Sequence, residues 1–111
     1  EALAEALALG ASEGLEPTAM LDVLADSPMA NFFLAFKMPI LKGATADAAF
    51  DMKSLCKDLS SAVSAAAETG VSLPAATACV SSLKAGMAAG WGERDIAELP
   101  LFYRKHMQLS W

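Results

Sequence analysis

Residues 51–69 read DMKSLCKDLSSAVSAAAET, and their period decides the fold class. Leu55, Leu59, Ala62, Val63 and Ala66 recur at three- and four-residue spacing, which sets them on one face of a helix. Lys53, Lys57, Ser60, Ser61, Ser64 and Glu68 fall on the other side. The pattern predicts a helix from Asp51 to about Thr69, stopped by Gly70, a residue suited to the left-handed turn that closes helices.

Downstream, Pro74 opens a second helix, where its missing N–H costs nothing. Ala76, Cys79, Val80, Leu83 and Met87 form its stripe, and Gly90-Trp91-Gly92 breaks it. Asp95 can cap a short turn, and Leu99 to His106 reads as a terminal helix. Upstream, Glu1 to about Glu13 is rich in Ala, Leu and Glu, with Leu3, Ala6, Leu7 and Gly10 as its stripe and Gly14 as its stop. Pro17 restarts the chain, Ala19, Met20, Val23 and Leu24 supply an apolar face, and Asp26-Ser27-Pro28 ends that helix. A further helical segment runs from Met29 to Met38 and is closed by Pro39. Ile40 to Ala49 contains Gly43, Thr45 and Asp47 and reads as loop, with Lys37 and Lys42 as solvated charges around Pro39. No segment alternates at period two, and Val and Ile are scarce. The fold class is all-α, a single bundle-like domain of five to seven helices.

Composition agrees with one packed core. The chain has 111 residues, 24 of them Ala, and 55% are apolar, too many for a disordered segment. The net charge of -5 argues against a nucleic-acid partner, which needs a basic face for phosphates. No apolar run approaches the length of a membrane span, and no basic-then-apolar leader is visible. The chain opens on Glu rather than Met, inside a helical pattern, as a piece of a longer protein would.

Cys56 and Cys79 both lie in helical apolar patterns, which reads as two buried thiols in a reducing compartment, cytoplasm or organelle matrix. With His106 they fall short of a four-ligand zinc site, so no metal is expected. His106 itself reads as a solvated terminal residue. Gly90-Trp91-Gly92-Glu93-Arg94-Asp95 imitates a dinucleotide fingerprint, but Asp95 takes the place of its last Gly and a helix precedes it instead of a strand.

What remains is the polar face of the long helix. Lys53 and Lys57 are one turn apart, and Asp58 lies about 100° round from Lys57. On composition alone a Lys-Asp step is ordinary surface, and Phe50, entering a helix, is ordinary core.

Four ordered stretches add to this. They are Glu5-Ala6-Leu7-Ala8-Leu9 with Glu13-Gly14-Leu15-Glu16-Pro17, then Phe50 to Leu59, then Gly70-Val71-Ser72-Leu73-Pro74, then Gly90 to Asp95. From Ala2 to Leu99 the chain resembles the C-terminal helical domain of the β-hydroxyacid dehydrogenase family. That family includes 3-hydroxyisobutyrate dehydrogenase, tartronate semialdehyde reductase and the glyoxylate/succinic semialdehyde reductases.

The resemblance implies a fold like the C-terminal domain of 6-phosphogluconate dehydrogenase. It implies a partner Rossmann domain ahead of this one, an NAD or NADP cofactor, a small hydroxy-acid or semialdehyde substrate and a homo-oligomer. The family's catalytic Lys, followed by an Asn, lies on the helix that links the two domains, upstream of Glu1, so no catalytic residue is assigned here and the chain alone is expected to be inactive. Lys53 does not stand in for it, because it lies in the Phe-to-Lys-Asp stretch. By position, the resemblance assigns Lys57 to the cofactor, Asp58 to the substrate or the catalytic Lys, and Phe50 to an apolar wall of the substrate pocket. Asp95-Ile96-Ala97-Glu98 matches the family pattern only in part, and Leu99 to Tyr103 and Trp111 look individual.

A competing reading is a self-standing helical interaction module. Met20, Met29, Met38, Phe32, Phe33 and Phe36 could then form an adaptable apolar groove. The same face would serve equally as a dimer surface.

Overall fold

The computed structural model describes residues 1–109. Trp111 lies outside the described residues. Among them are six α-helices: α1 Ala2–Ser12, α2 Pro17–Ala25, α3 Phe32–Leu41, α4 Met52–Glu68, α5 Pro74–Ala88 and α6 Leu99–His106. A short 3₁₀ turn, Ile96–Glu98, precedes α6, and the only β-type pairing among the described residues is one bridge, Asp51 with Asp95. The all-helical class is therefore correct. The backbone divides into two units, Asp47–Ile96 and the remainder.

In the first unit α1 packs on α2 and α6, and α2 packs on α3. Gly14 ends α1 at φ 85°, with Leu15 N–H donating to Gly10 C=O at 2.9 Å and Gly14 N–H to Ala11 C=O at 3.0 Å. These two bonds satisfy carbonyls the helix leaves open. The buried stripe is Ala4, Leu7, Ala8 and Gly10, while Ala6 is exposed and Leu3 half-buried. Gly10 lies against Met20 of α2, and a Cβ there would displace the Met20 thioether. Glu16 caps α2 by accepting the Ala19 N–H at 3.0 Å, and Pro17 takes the first turn as expected.

Several expectations fail in this unit. The inner face of α2 is set by Leu21, with Pro17, Met20 and Leu24 half-buried, whereas Ala19 is exposed and Val23 is 71% exposed. In α3, Asn31 rather than Met29 starts the helix, its side chain accepting the Leu34 N–H at 2.8 Å. Pro39 does not close it but lies inside, and the helix runs on to Leu41. Ile40 and Leu41 are therefore helical, not loop. Lys37 is only 2% exposed, not solvated, and its ammonium lies 5.3 Å from the Phe36 ring and 5.8 Å from that of Phe33. Lys42 pairs with Asp22.

The second unit is the α4–α5 pair with its flanking loops. Met52 and Cys56 are buried on α4, Leu55, Leu59, Val63 and Ala66 are half-buried, Ser60 is half-buried too, and Ala62 is exposed. Leu83 and Gly86 are the buried positions of α5. Gly86 takes the buried place expected for Met87, which is exposed; a Cβ at Gly86 would lie 3.3 Å from Met52 Sδ, a tight contact. Gly70 at φ 74° and Gly90 at φ 86° close α4 and α5. Neither thiol is in a disulfide, with Cys56 buried and Cys79 half-buried rather than fully buried.

Candidate functional site

The polar start of α4 is built from both ends of the second unit. Asp51 caps the helix by accepting the Ser54 N–H on Oδ1 at 2.7 Å. The Ser54 backbone and side chain, and then the Lys53 charge, favour the ionised carboxylate and hold the Asp51 carboxyl below its ordinary value of 3.8. Lys53 reaches the other way, its ammonium donating to Glu93 Oε1 at 2.8 Å. That hydrogen bond and the Glu93 charge hold Lys53 above its ordinary 10.5.

The loop after α5 runs back along this start. Met52 N–H donates to Arg94 C=O at 3.0 Å, Lys53 N–H to Gly92 C=O at 2.9 Å, and Ile96 N–H to Phe50 C=O at 3.0 Å. The Arg94 guanidinium lies 3.8 Å over the Trp91 ring. Asp95 is buried, and its Oδ2 accepts the Ala49 N–H at 3.0 Å. Loop and helix start therefore form one hydrogen-bonded corner.

All three residues assigned by resemblance lie on this unit. Phe50 sits on the pinned corner, 37% exposed. Lys57 stands one turn beyond Lys53 with its side chain 77% exposed, and Asp58 is exposed beside it. Helix geometry separates their Cβ directions, yet the long Lys57 stem folds over so that Nζ comes 3.4 Å from Asp58 Oδ1. The structure thus joins Lys57 with Asp58 and gives Phe50 a separate support.

Sequence reasoning missed Lys53–Glu93 and Asp95–Ala49. Each links residues 40 or more apart in the chain. The visible signal for Asp95 was an acid in a glycine-punctuated turn, which does not reveal its partner. Among the described residues no group of His, Cys, Asp or Glu could hold a metal ion, and no helix is long and apolar enough to cross a membrane.

The unit thus presents an exposed ammonium–carboxylate pair and, separately, a partly exposed ring. Residues 1–102 match the family described as NAD-binding of NADP-dependent 3-hydroxyisobutyrate dehydrogenase, and the chain belongs to that family. It is also similar to glyoxylate/succinic semialdehyde reductase 1 of Arabidopsis thaliana, 30% identical over 96 residues. The match covers 86% of this chain and 33% of that protein, so the chain spans about a third of its relative's length. The cofactor class of the family is a nicotinamide dinucleotide.

Proposed function

We propose that the chain is the C-terminal helical domain of an NAD- or NADP-dependent dehydrogenase acting on a small 3-hydroxy acid or a semialdehyde. The observation that carries this reading is the exposed Lys57–Asp58 pair on α4, inside a stretch spanned by an NAD-binding family. The fold proposed is that of the 6-phosphogluconate dehydrogenase C-terminal domain. The domain forms one wall of a cleft whose other wall is an N-terminal Rossmann domain.

A nicotinamide dinucleotide bound in that cleft gives or takes the hydride. Lys57 contributes a positive charge and N–H donors toward it. Asp58 accepts a hydrogen bond from substrate or from the acid/base lysine, and Phe50 supplies an apolar wall that excludes water. The lysine that moves the hydroxyl proton is placed on the linking helix, outside these residues. Orientation needs both walls, so the 111 residues alone are expected to show no turnover. Two reduced thiols support a cytoplasmic or matrix setting.

Steady-state kinetics of the full-length protein, with succinic semialdehyde or glyoxylate and NADPH, test this reading. Phe50→Ala is expected to raise KM for the aldehyde, and Asp58→Asn to lower turnover. A protein that reduces neither aldehyde and oxidises no 3-hydroxy acid contradicts it.

A second reading, a self-standing helical protein-interaction module, is favoured by α3. Phe32 is 86% exposed, and Phe33 and Phe36 are also exposed, with the Phe32 and Phe36 rings stacked at 6.3 Å. The same face supports a homo-oligomer of the dehydrogenase. Light scattering separates the two: oligomers of the full-length protein support the dehydrogenase, and a monomer that binds a peptide without nucleotide supports the module.

A further inference from the structure

The segment ahead of α4 has little structure of its own. Residues 44–50, which end on Phe50, belong to no helix or strand. Besides the Lys53–Glu93 side-chain bond, four hydrogen bonds to residues 92–96 hold the main chain from Ala49 to Lys53. Three of them join main chain to main chain. The fourth is made by a side chain, from Ala49 N–H to Asp95 Oδ2 at 3.0 Å.

Asp95 is 1% exposed. A buried carboxylate is tolerated when hydrogen bonds satisfy its charge, and such bonds are short and directional. Its geometry brackets Phe50. The residue before Phe50 is held by the Asp95 carboxylate, and the residue after it, Asp51, pairs with Asp95 across the bridge. The Phe50 carbonyl is held by the next residue of the loop, Ile96.

We infer that Asp95 is a positioning residue for Phe50, fixing the backbone that aims its ring at the aldehyde or hydroxy-acid substrate. The inference rests on the proposed role of Phe50 as a substrate wall. Lys57 lies five residues into α4, beyond the corner that Asp95 holds, so the effect of Asp95 falls on the substrate and spares the cofactor.

The test is a double-mutant cycle in the full-length protein, with succinic semialdehyde and NADPH as probes. Asp95→Ala is expected to raise KM for succinic semialdehyde about tenfold, the loss of roughly one charge-assisted hydrogen bond. KM for NADPH stays near that of the unmodified protein. In a Phe50→Ala background Asp95→Ala adds nothing, because the ring through which it acts is gone. Asp95→Asn, which keeps an acceptor but not the charge, shifts the aldehyde KM by about threefold. If Asp95→Ala does not fold, Asp95→Asn carries the same cycle. Effects that add to those of Phe50→Ala overturn the inference, as does an equal rise in both KM values. So does an Asp95 variant that folds and leaves the aldehyde KM unchanged. Phe50→Ala with an unchanged aldehyde KM refutes the substrate-wall role instead, whatever Asp95 does.

Discussion

Asp51 and Asp95 face each other across an antiparallel bridge, and each carboxylate accepts a different backbone N–H. Asp51 takes Ser54 at the head of α4, and Asp95 takes Ala49 in the segment before it. Two like charges directly opposite would repel. Here each is engaged by a separate amide, so the pair organises the corner that carries Phe50.

The Asp51 cap sets an acid limit. A carboxyl held below its ordinary value stabilises the folded state above that value and loses the contribution as pH falls through the folded one. Asp51→Ala is expected to melt at lower temperature than the unmodified protein near neutral pH. The gap should close as pH falls below about 3.8. Paired thermal melts across pH check this, and a gap that persists in acid counts against the cap.

Lys53 sets the opposite limit. A raised ammonium contributes fully below its ordinary 10.5, and the contribution is lost as pH climbs through the higher folded value. Both partners are exposed, so salt screens the pair and the effect is small. Lys53→Met should lower the melting temperature slightly at neutral pH and low salt. The difference should vanish in strong salt and shrink progressively as pH rises above 10.5; a salt-independent difference would point to packing of the stem.

The inner face of α2 is tested by two truncations. Leu21 is buried, so Leu21→Ala should cost about 3 kcal/mol of stability through lost burial and a cavity. Val23 is exposed, and Val23→Ala should stay within about 0.5 kcal/mol. Denaturant titrations measure both, and equal costs would mean that the face is misassigned.

Gly70 closes α4 at φ 74° with open space where a side chain would stand. Only backbone strain opposes a substitution. Gly70→Ala should cost about 1 kcal/mol and Gly70→Asn less, because Asn tolerates the left-handed region. A stabilised alanine variant in the same titration would refute this.

Much of the helix order was legible because the signals were strong. Leu99–His106 forms as expected, and α4 and α5 lie between proline, glycine and aspartate punctuation marks that bound them. The faces of α2 and α3 were not legible, since short helices made almost wholly of apolar residues offer little polar contrast to mark the outside. Lys37 shows the consequence: a charge that reads as solvated is buried against aromatic rings, while Phe32 faces out. At the site, Lys57, Asp58 and Phe50 came from resemblance, and spacing alone left them as surface and core. The Asp95–Ala49 bond spans 46 residues, a pairing that a helical period cannot encode.

The central claim is that Lys57 serves the cofactor side of a dehydrogenase cleft. Fluorescence titration of the full-length protein with NADPH measures it directly, comparing Lys57→Ala with the unmodified protein. The expected result is a dissociation constant raised about tenfold, the loss of one charge-assisted contact, with the melting temperature preserved because the side chain is exposed. An unchanged dissociation constant in a folded variant would contradict the account.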